Sequence, residues 1–138
     1  MIAVLIVFNG PASVMAAWAL QDQVTSNDLQ DDDEFGYAVG ISGDYAVVGA
    51  HFDDDSATDG GSAYIFKRTG TDWAQEAKLS AILSDNEWHG YSVAIDGDYA
   101  IVGTEAGDTA YVYYKDEGGT DNWGEQEILT ASDGFFGN

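Results

Sequence analysis

The sequence FGYAVGISGDYAVVG at residues 35–49 returns as HGYSVAIDGDYAIVG at residues 89–103. A constant separation of 54 residues relates the two copies. In each copy, two runs rich in β-branched and aromatic residues flank a short turn, at Ser42-Gly43 in the first copy and at Asp96-Gly97 in the second. Such runs around a residue that tolerates positive φ predict a β-hairpin.

The similarity continues beyond this hairpin. Residues 62–66 align with residues 109–113, and Trp73 aligns with Trp123, across an intervening loop that is seven residues shorter in the second copy. Units of four antiparallel strands that repeat about every 50 residues are typical of propeller blades. The predicted fold class is therefore all-β, with tandem four-stranded antiparallel blades of a partial β-propeller. The predicted strands are 37–41, 45–50, 62–67 and 73–79 in the first unit, and 91–95, 99–103, 109–114 and 123–129 in the second.

The repeat also divides the chain. Residues 35–88 and 89–131 are predicted to be two blades, and residues 18–34 the closing strand of a preceding blade with its linker. Residues 132–138 begin a further repeat with Phe136-Gly137. Residues 1–17 have two interpretations, a secretion signal or a truncated strand. Their apolar run and small residues favour a signal, whereas the basic segment that usually opens one is missing.

The composition narrows the classes of partner. The 138 residues include 25 Asp or Glu and 4 Lys or Arg, giving a formal net charge of −21. Such a charge repels nucleic acid and anionic membranes and attracts cations. The chain has no cysteine, which excludes disulfides and thiolate metal sites. We expect a protein or carbohydrate ligand, with no nucleic-acid partner and no membrane insertion.

These repeats resemble the FG-GAP repeats of integrin α propellers, and they are most similar to those of secreted bacterial proteins. Phe35-Gly36 and Phe136-Gly137 match the opening Phe-Gly pair, and Gly49-Ala50 matches two-thirds of the Gly-Ala-Pro signature. His89-Gly90 departs from the opening pair, and Gly103 is the only match to the second signature in its copy. The resemblance implies a propeller that is secreted or displayed at the cell surface.

The resemblance further implies a calcium loop after the second strand of a blade. In residues 51–61, Asp53, Asp55 and Asp59 fit a register of alternating ligands that Ala57 interrupts, so their carboxylates could converge on an ion that prefers six to eight oxygen ligands. Calcium is therefore the expected cofactor, and a solvated acidic turn is the alternative. The equivalent loop at Glu105 to Asp108 is shorter and less acidic, and we expect no site there.

Other notable residues have structural interpretations. Trp18, Trp73 and Trp123 recur at equivalent positions and are predicted to pack between blades, with a carbohydrate platform as the alternative. Trp88 lies outside the repeat and is predicted to be an exposed contact, whereas His89 replaces a core Phe. The acidic run 31–34 is predicted to be a solvated linker, with a set of metal ligands as the alternative.

Catalysis has little support in the sequence, and we expect no enzyme. Neither a Gly-x-Ser-x-Gly nucleophile motif nor a glycine-rich phosphate loop is present. The leading expectation is an extracellular, calcium-dependent adhesion or ligand-binding module. Two alternatives are a self-assembling structural β-protein, whose copies complete the propeller or join end to end, and a propeller fragment appended to a secreted enzyme.

Overall fold

The computed structural model describes residues 18–55, 57–81, 85–106 and 108–130, and these contain eight strands and no helix. Two four-stranded antiparallel sheets have the orders β1-β2-β3-β4 and β5-β6-β7-β8, which confirms the predicted fold class. The predictions for residues 1–17 and 132–138 lie outside the described residues. The strands are β1 (Val39–Ser42), β2 (Tyr45–Ala50), β3 (Ser62–Thr69), β4 (Asp72–Leu79), β5 (Ser92–Asp96), β6 (Tyr99–Gly103), β7 (Thr109–Tyr114) and β8 (Gly124–Thr130).

The two sheets repeat each other in detail. Each first hairpin closes through a two-residue turn whose glycine has left-handed φ, 58° at Gly43 and 57° at Gly97. The second turn residue, Asp44 or Asp98, does not have positive φ, so these are type II′ turns, which match the twist of paired strands and favour glycine at the first position. Both sheets also have a bulge between their third and fourth strands, after Ile65 and after Val112. The sequence repeat is therefore a structural repeat.

The main hydrophobic core lies between the sheets. Because side chains alternate along a strand, the first sheet contributes Val47 from β2, and the second contributes Ala100 and Val102 from β6. Ile101, the repeat equivalent of Val47, therefore points away from this core and is 42% exposed, whereas Val47 is 0% exposed. The first sheet thus packs through one face of the repeat unit, and the second sheet packs through the opposite face of that unit. The buried members of this core are Val47, Ala63, Ile65, Leu79, Ala100, Val102, Tyr111, Tyr113 and Trp123.

A tryptophan hydrogen bond joins the second sheet to the first sheet, and an equivalent one joins the first sheet to the segment before β1. The Nε1–H of Trp123 donates to Oε2 of Glu76 at 2.9 Å, and that of Trp73 donates to Oε1 of Gln21 at 3.0 Å. Trp123 is buried in the main core, and Trp73 packs against the core of the first sheet's outer face. Trp18 is 102% exposed, so the prediction that it packs between blades is wrong for this chain. Among the described residues, no strand precedes β1, so Trp18 has no neighbouring strand there to pack against.

No helix within the described residues is long and apolar enough to cross a membrane.

Candidate functional site

The loop between β2 and β3 brings two of the three predicted calcium ligands together. The backbone N–H of Asp55 donates to Oδ1 of Asp53 at 3.1 Å, which curls the loop so that both carboxylates face the same way. Asp28, from the segment before β1, joins them, and the candidate ligand oxygens of the three residues lie within 4.8 Å of one another. Asp53 is 2% exposed, although a buried carboxylate is costly without a partner.

Lys78 supplies that partner from the end of β4. Its ammonium nitrogen lies 2.8 Å from Oδ2 of Asp28, 2.9 Å from Oδ2 of Asp53 and 2.7 Å from Oδ2 of Asp55. An ammonium has three hydrogens to donate, and here it has three carboxylate acceptors. We call Lys78 and these three aspartates the lysine cluster.

Hydrogen bonds complete the lysine cluster. The hydroxyl of Tyr64 donates to Oδ2 of Asp53 at 2.5 Å, and Nε2 of Gln30 donates to Oδ1 of Asp55 at 2.9 Å. Burial by itself would lower the pKa of Lys78, but its hydrogen bonds to the aspartates outweigh burial and raise that pKa above its ordinary value. The lysine is therefore charged throughout the physiological range.

Asp59, the third predicted calcium ligand, lies in the other half of the loop and is not a member of the lysine cluster. That half is attached to the linker before β5. The carbonyl of Asp59 accepts a hydrogen bond from the backbone N–H of Trp88 at 3.2 Å, and the carbonyl of Gly60 accepts one from His89 at 2.8 Å. The loop is thus divided between two neighbouring segments.

Calcium does not fit the cluster as the side chains are arranged. Calcium prefers six to eight oxygen ligands, and the three aspartates provide an oxygen set of the right chemistry. Their convergent oxygens are already bonded to the ammonium of Lys78 at 2.7–2.9 Å. A divalent ion at the same point would meet that positive charge at close range, so the ion and the lysine side chain exclude each other.

A second feature lies at the same end of the sheets, where four aromatic rings surround His51. The ring centroid of His51 is 4.1 Å from those of Tyr37 and Phe52, 5.6 Å from that of Tyr91 and 6.4 Å from that of Trp88. Tyr37 is 50% exposed, whereas His51 is 3% exposed. We call these five residues the aromatic group.

Three further predictions have structural outcomes. Trp88 is half-buried and its ring centroid lies 5.6 Å from that of Phe52, so the prediction of an exposed contact is wrong. Asp33 is 3% exposed and accepts a hydrogen bond from the backbone of Gln30, so it is not part of a solvated linker. His89 is 0% exposed, as expected for a residue in the place of a core Phe.

Sequence reasoning missed Asp28, Tyr64 and Lys78. One signal was present, because Lys78 is one of only four basic residues in the chain. The pairing of Lys78 with Tyr64 across β3 and β4 depends on the strand register, which spacing alone did not give.

The chain contains two sheets of four antiparallel strands that pack face to face, and each has the tryptophan hydrogen bond of the repeat. This arrangement defines a propeller-type repeat protein. Residues 18–66 and 73–119 match the FG-GAP repeat family, and the chain belongs to that family. Each match begins at a tryptophan of the repeat, Trp18 in the segment before β1 or Trp73 in β4. No curated protein matches the chain significantly.

Proposed function

We propose that this chain is a non-catalytic binding or adhesion module of an extracellular or surface protein. FG-GAP repeats are typical of extracellular and adhesion-type proteins, which supports the location and the class of function. The aromatic group is the observation on which the proposal rests, and we propose it as the binding surface of this chain. It lies where the segments before β1 and β5 meet the loop after β2.

The aromatic group has the chemistry of a binding surface. Aromatic side chains with a polar atom combine large apolar area with hydrogen-bonding capacity and dominate many interfaces. Nδ1 of His51 and Nε1 of Trp88 are buried and have no hydrogen-bond partner among the described residues. Burial lowers the pKa of His51, so its ring is neutral at pH 7 and packs among the other rings without a charge.

The test compares two tyrosines that are similarly exposed. Tyr37 is 50% exposed within the aromatic group, and Tyr99 is 47% exposed at the hairpin end of β6. Attachment of intact cells to the immobilised chain is measured for wild type, Tyr37→Ala and Tyr99→Ala. We expect Tyr37→Ala to weaken attachment by about tenfold or more, as for a hot-spot residue, and Tyr99→Ala to leave it unchanged.

Equal attachment by all three proteins would contradict the proposed surface. Detection of the protein only inside the cells that make it, by surface labelling of intact cells, would contradict the proposed location. A hydrolytic activity lost on one carboxylate substitution would favour the enzyme-linked alternative.

A second candidate function is self-assembly, which one face of the second sheet favours. Val47 and Leu79 of the first sheet are 0% and 1% exposed because the second sheet covers them. Their repeat equivalents Ile101 and Leu129 are 42% and 48% exposed. A second copy of the chain could cover this face by repeating the packing between the sheets. The Nε1–H of Trp73 in the second copy would then donate to Gln126 of the first copy instead of to Gln21 of its own chain. Gln126 is the repeat equivalent of Glu76, which accepts this hydrogen bond from Trp123.

Analytical ultracentrifugation over a range of concentrations tests this candidate. Wild type is expected to associate, and Ile101→Asp to abolish association because it charges the exposed face. Ile128→Asp is the matched control, since Ile128 is 46% exposed but lies on the opposite face of β8 from Leu129. A wild type that stays monomeric at every concentration would contradict self-assembly.

A further inference from the structure

We propose that Lys78 is the built-in cation of the first repeat, so that the acidic loop after β2 is held closed without a metal ion. The inference goes beyond the proposed binding function and does not depend on it. It rests on the geometry of the lysine cluster and on a comparison between the two repeats.

The geometry places one cation at the meeting point of three carboxylates from two segments. Asp53 and Asp55 belong to the loop, whereas Asp28 belongs to the segment before β1, and each has an oxygen within 2.9 Å of the Lys78 nitrogen. The lysine therefore joins these segments to the end of β4, as a multidentate metal ion would. The ammonium also lies 5.3 Å from the ring centroid of Tyr64, whose hydroxyl holds Asp53.

The second repeat provides an internal comparison. Lys78 pairs with Tyr64 between β3 and β4, and Ile128 pairs with Tyr111 between β7 and β8. These two pairs are equivalent, so an isoleucine stands in the second repeat where the first has Lys78. The second repeat also has the shorter loop with fewer carboxylates. The lysine and the carboxylates thus occur together in one repeat and are replaced together in the other.

This arrangement predicts what removal of the lysine does. Lys78→Met retains most of the side chain's apolar length but removes the charge, leaving three carboxylates around an open position. Their oxygens are ligands that calcium prefers, and mutual repulsion favours uptake of a divalent ion. The substitution should therefore convert the cluster into a calcium site of the extracellular class, with a Kd of about 10⁻⁴–10⁻³ M.

Isothermal titration calorimetry with calcium chloride on the full chain tests the proposal. Wild type is expected to give no saturable binding, Lys78→Met to bind one calcium ion, and Lys78→Met with Asp55→Asn to lose that binding. Ile128→Met is the matched control at the equivalent position and should behave as wild type. Circular dichroism establishes that each variant is folded.

The proposal would be overturned if wild type bound calcium saturably and Asp55→Asn removed that binding. The titration of these two proteins tests the proposal even if Lys78→Met does not fold. A folded Lys78→Met variant that binds no calcium would also overturn it. Failure of the cell-attachment test is a separate outcome, because that test depends on Tyr37 and not on the lysine cluster.

Discussion

The ammonium of Lys78 lies 2.9 Å from Oδ2 of Asp53, a carboxylate that is almost wholly buried. The lysine side chain is 21% exposed, so water screens this pair less than a surface ion pair. Breaking a buried pair by removing one partner leaves an uncompensated charge, which is the costly part of the change. The contribution of each aspartate should therefore depend on its burial.

The first prediction compares two aspartates that share Lys78. Asp53→Ala is expected to lower the free energy of unfolding by about 3 kcal/mol, because it leaves Lys78 and the Tyr64 hydroxyl without a buried acceptor. Asp55→Ala, at a side chain that is 39% exposed, should cost about 1 kcal/mol or less. Urea unfolding measures both. Equal costs at the two positions would contradict a cluster centred on Asp53.

The second prediction concerns the tryptophan that joins the sheets. Trp123→Phe keeps an aromatic ring in the core but removes the hydrogen bond to Glu76, and should cost about 1 kcal/mol or more. Trp18→Ala is the control and should change stability by less than about 0.5 kcal/mol, because Trp18 is fully exposed. Chemical unfolding of both variants measures the difference. A larger cost for Trp18→Ala would refute the described packing.

The third prediction uses two equivalent glycines to separate backbone strain from steric clash. Gly36 and Gly90 have φ values of 94° and 92°, so alanine is strained at both. A Cβ at Gly36 meets nothing within 4 Å, whereas one at Gly90 would lie 2.2 Å from the carbonyl oxygen of Ser62. Gly36→Ala should cost about 1–2 kcal/mol through backbone strain alone. Gly90→Ala should exceed about 4 kcal/mol or prevent folding, and similar melting temperatures for the two would contradict the close contact between sheets.

The fourth prediction is a pH dependence from His89. Burial lowers the pKa of His89 to about 4, below the value of about 6.5 expected in the unfolded chain. Between these values the unfolded chain binds a proton that the folded chain does not. Stability should therefore fall as the pH falls from about 6.5 towards about 4, by at most about 1.4 kcal/mol per pH unit from this group.

His89→Phe isolates that effect, because the first repeat has Phe35 at the equivalent position. Urea unfolding of the variant from about pH 7 to about pH 4 should show a shallower loss of stability than wild type, with the carboxylates accounting for the remainder. Identical pH profiles for the two proteins would show that His89 is not buried as a neutral residue.

Local features of the repeat could be predicted from sequence. The glycines of both hairpins follow from patterns within a few residues of each position, and the four-strand units and the packing roles of Trp73 and Trp123 follow from the repeat about every 50 residues. The lysine cluster could not be predicted in this way. Asp28 and Lys78 are 50 residues apart in the chain, and only the packing of the segment before β1 onto the first sheet brings them into contact.

The calcium prediction was also limited by its use of a local sequence pattern. Alternating aspartates indicated that the loop would gather carboxylates, and Asp53 and Asp55 do lie together. The pattern contained no information about a lysine from β4 that could neutralise them. Asp59 was included because of its spacing, but the loop divides before it, and its carbonyl bonds to the linker instead. Calcium binding by the native chain stays an untested prediction, and the position of Lys78 among the carboxylates argues against it.

Thermal unfolding of wild type in chelator and in about 10 mM calcium tests the central claim, that Lys78 takes the place of a metal ion, most directly. Magnesium at the same concentration corrects for screening of the net charge of −21. A site with a Kd of about 10⁻³ M would add about 1.4 kcal/mol and raise Tm by about 4 °C. We predict equal Tm values in calcium and magnesium. A calcium-specific rise that Asp55→Asn abolishes would contradict the account.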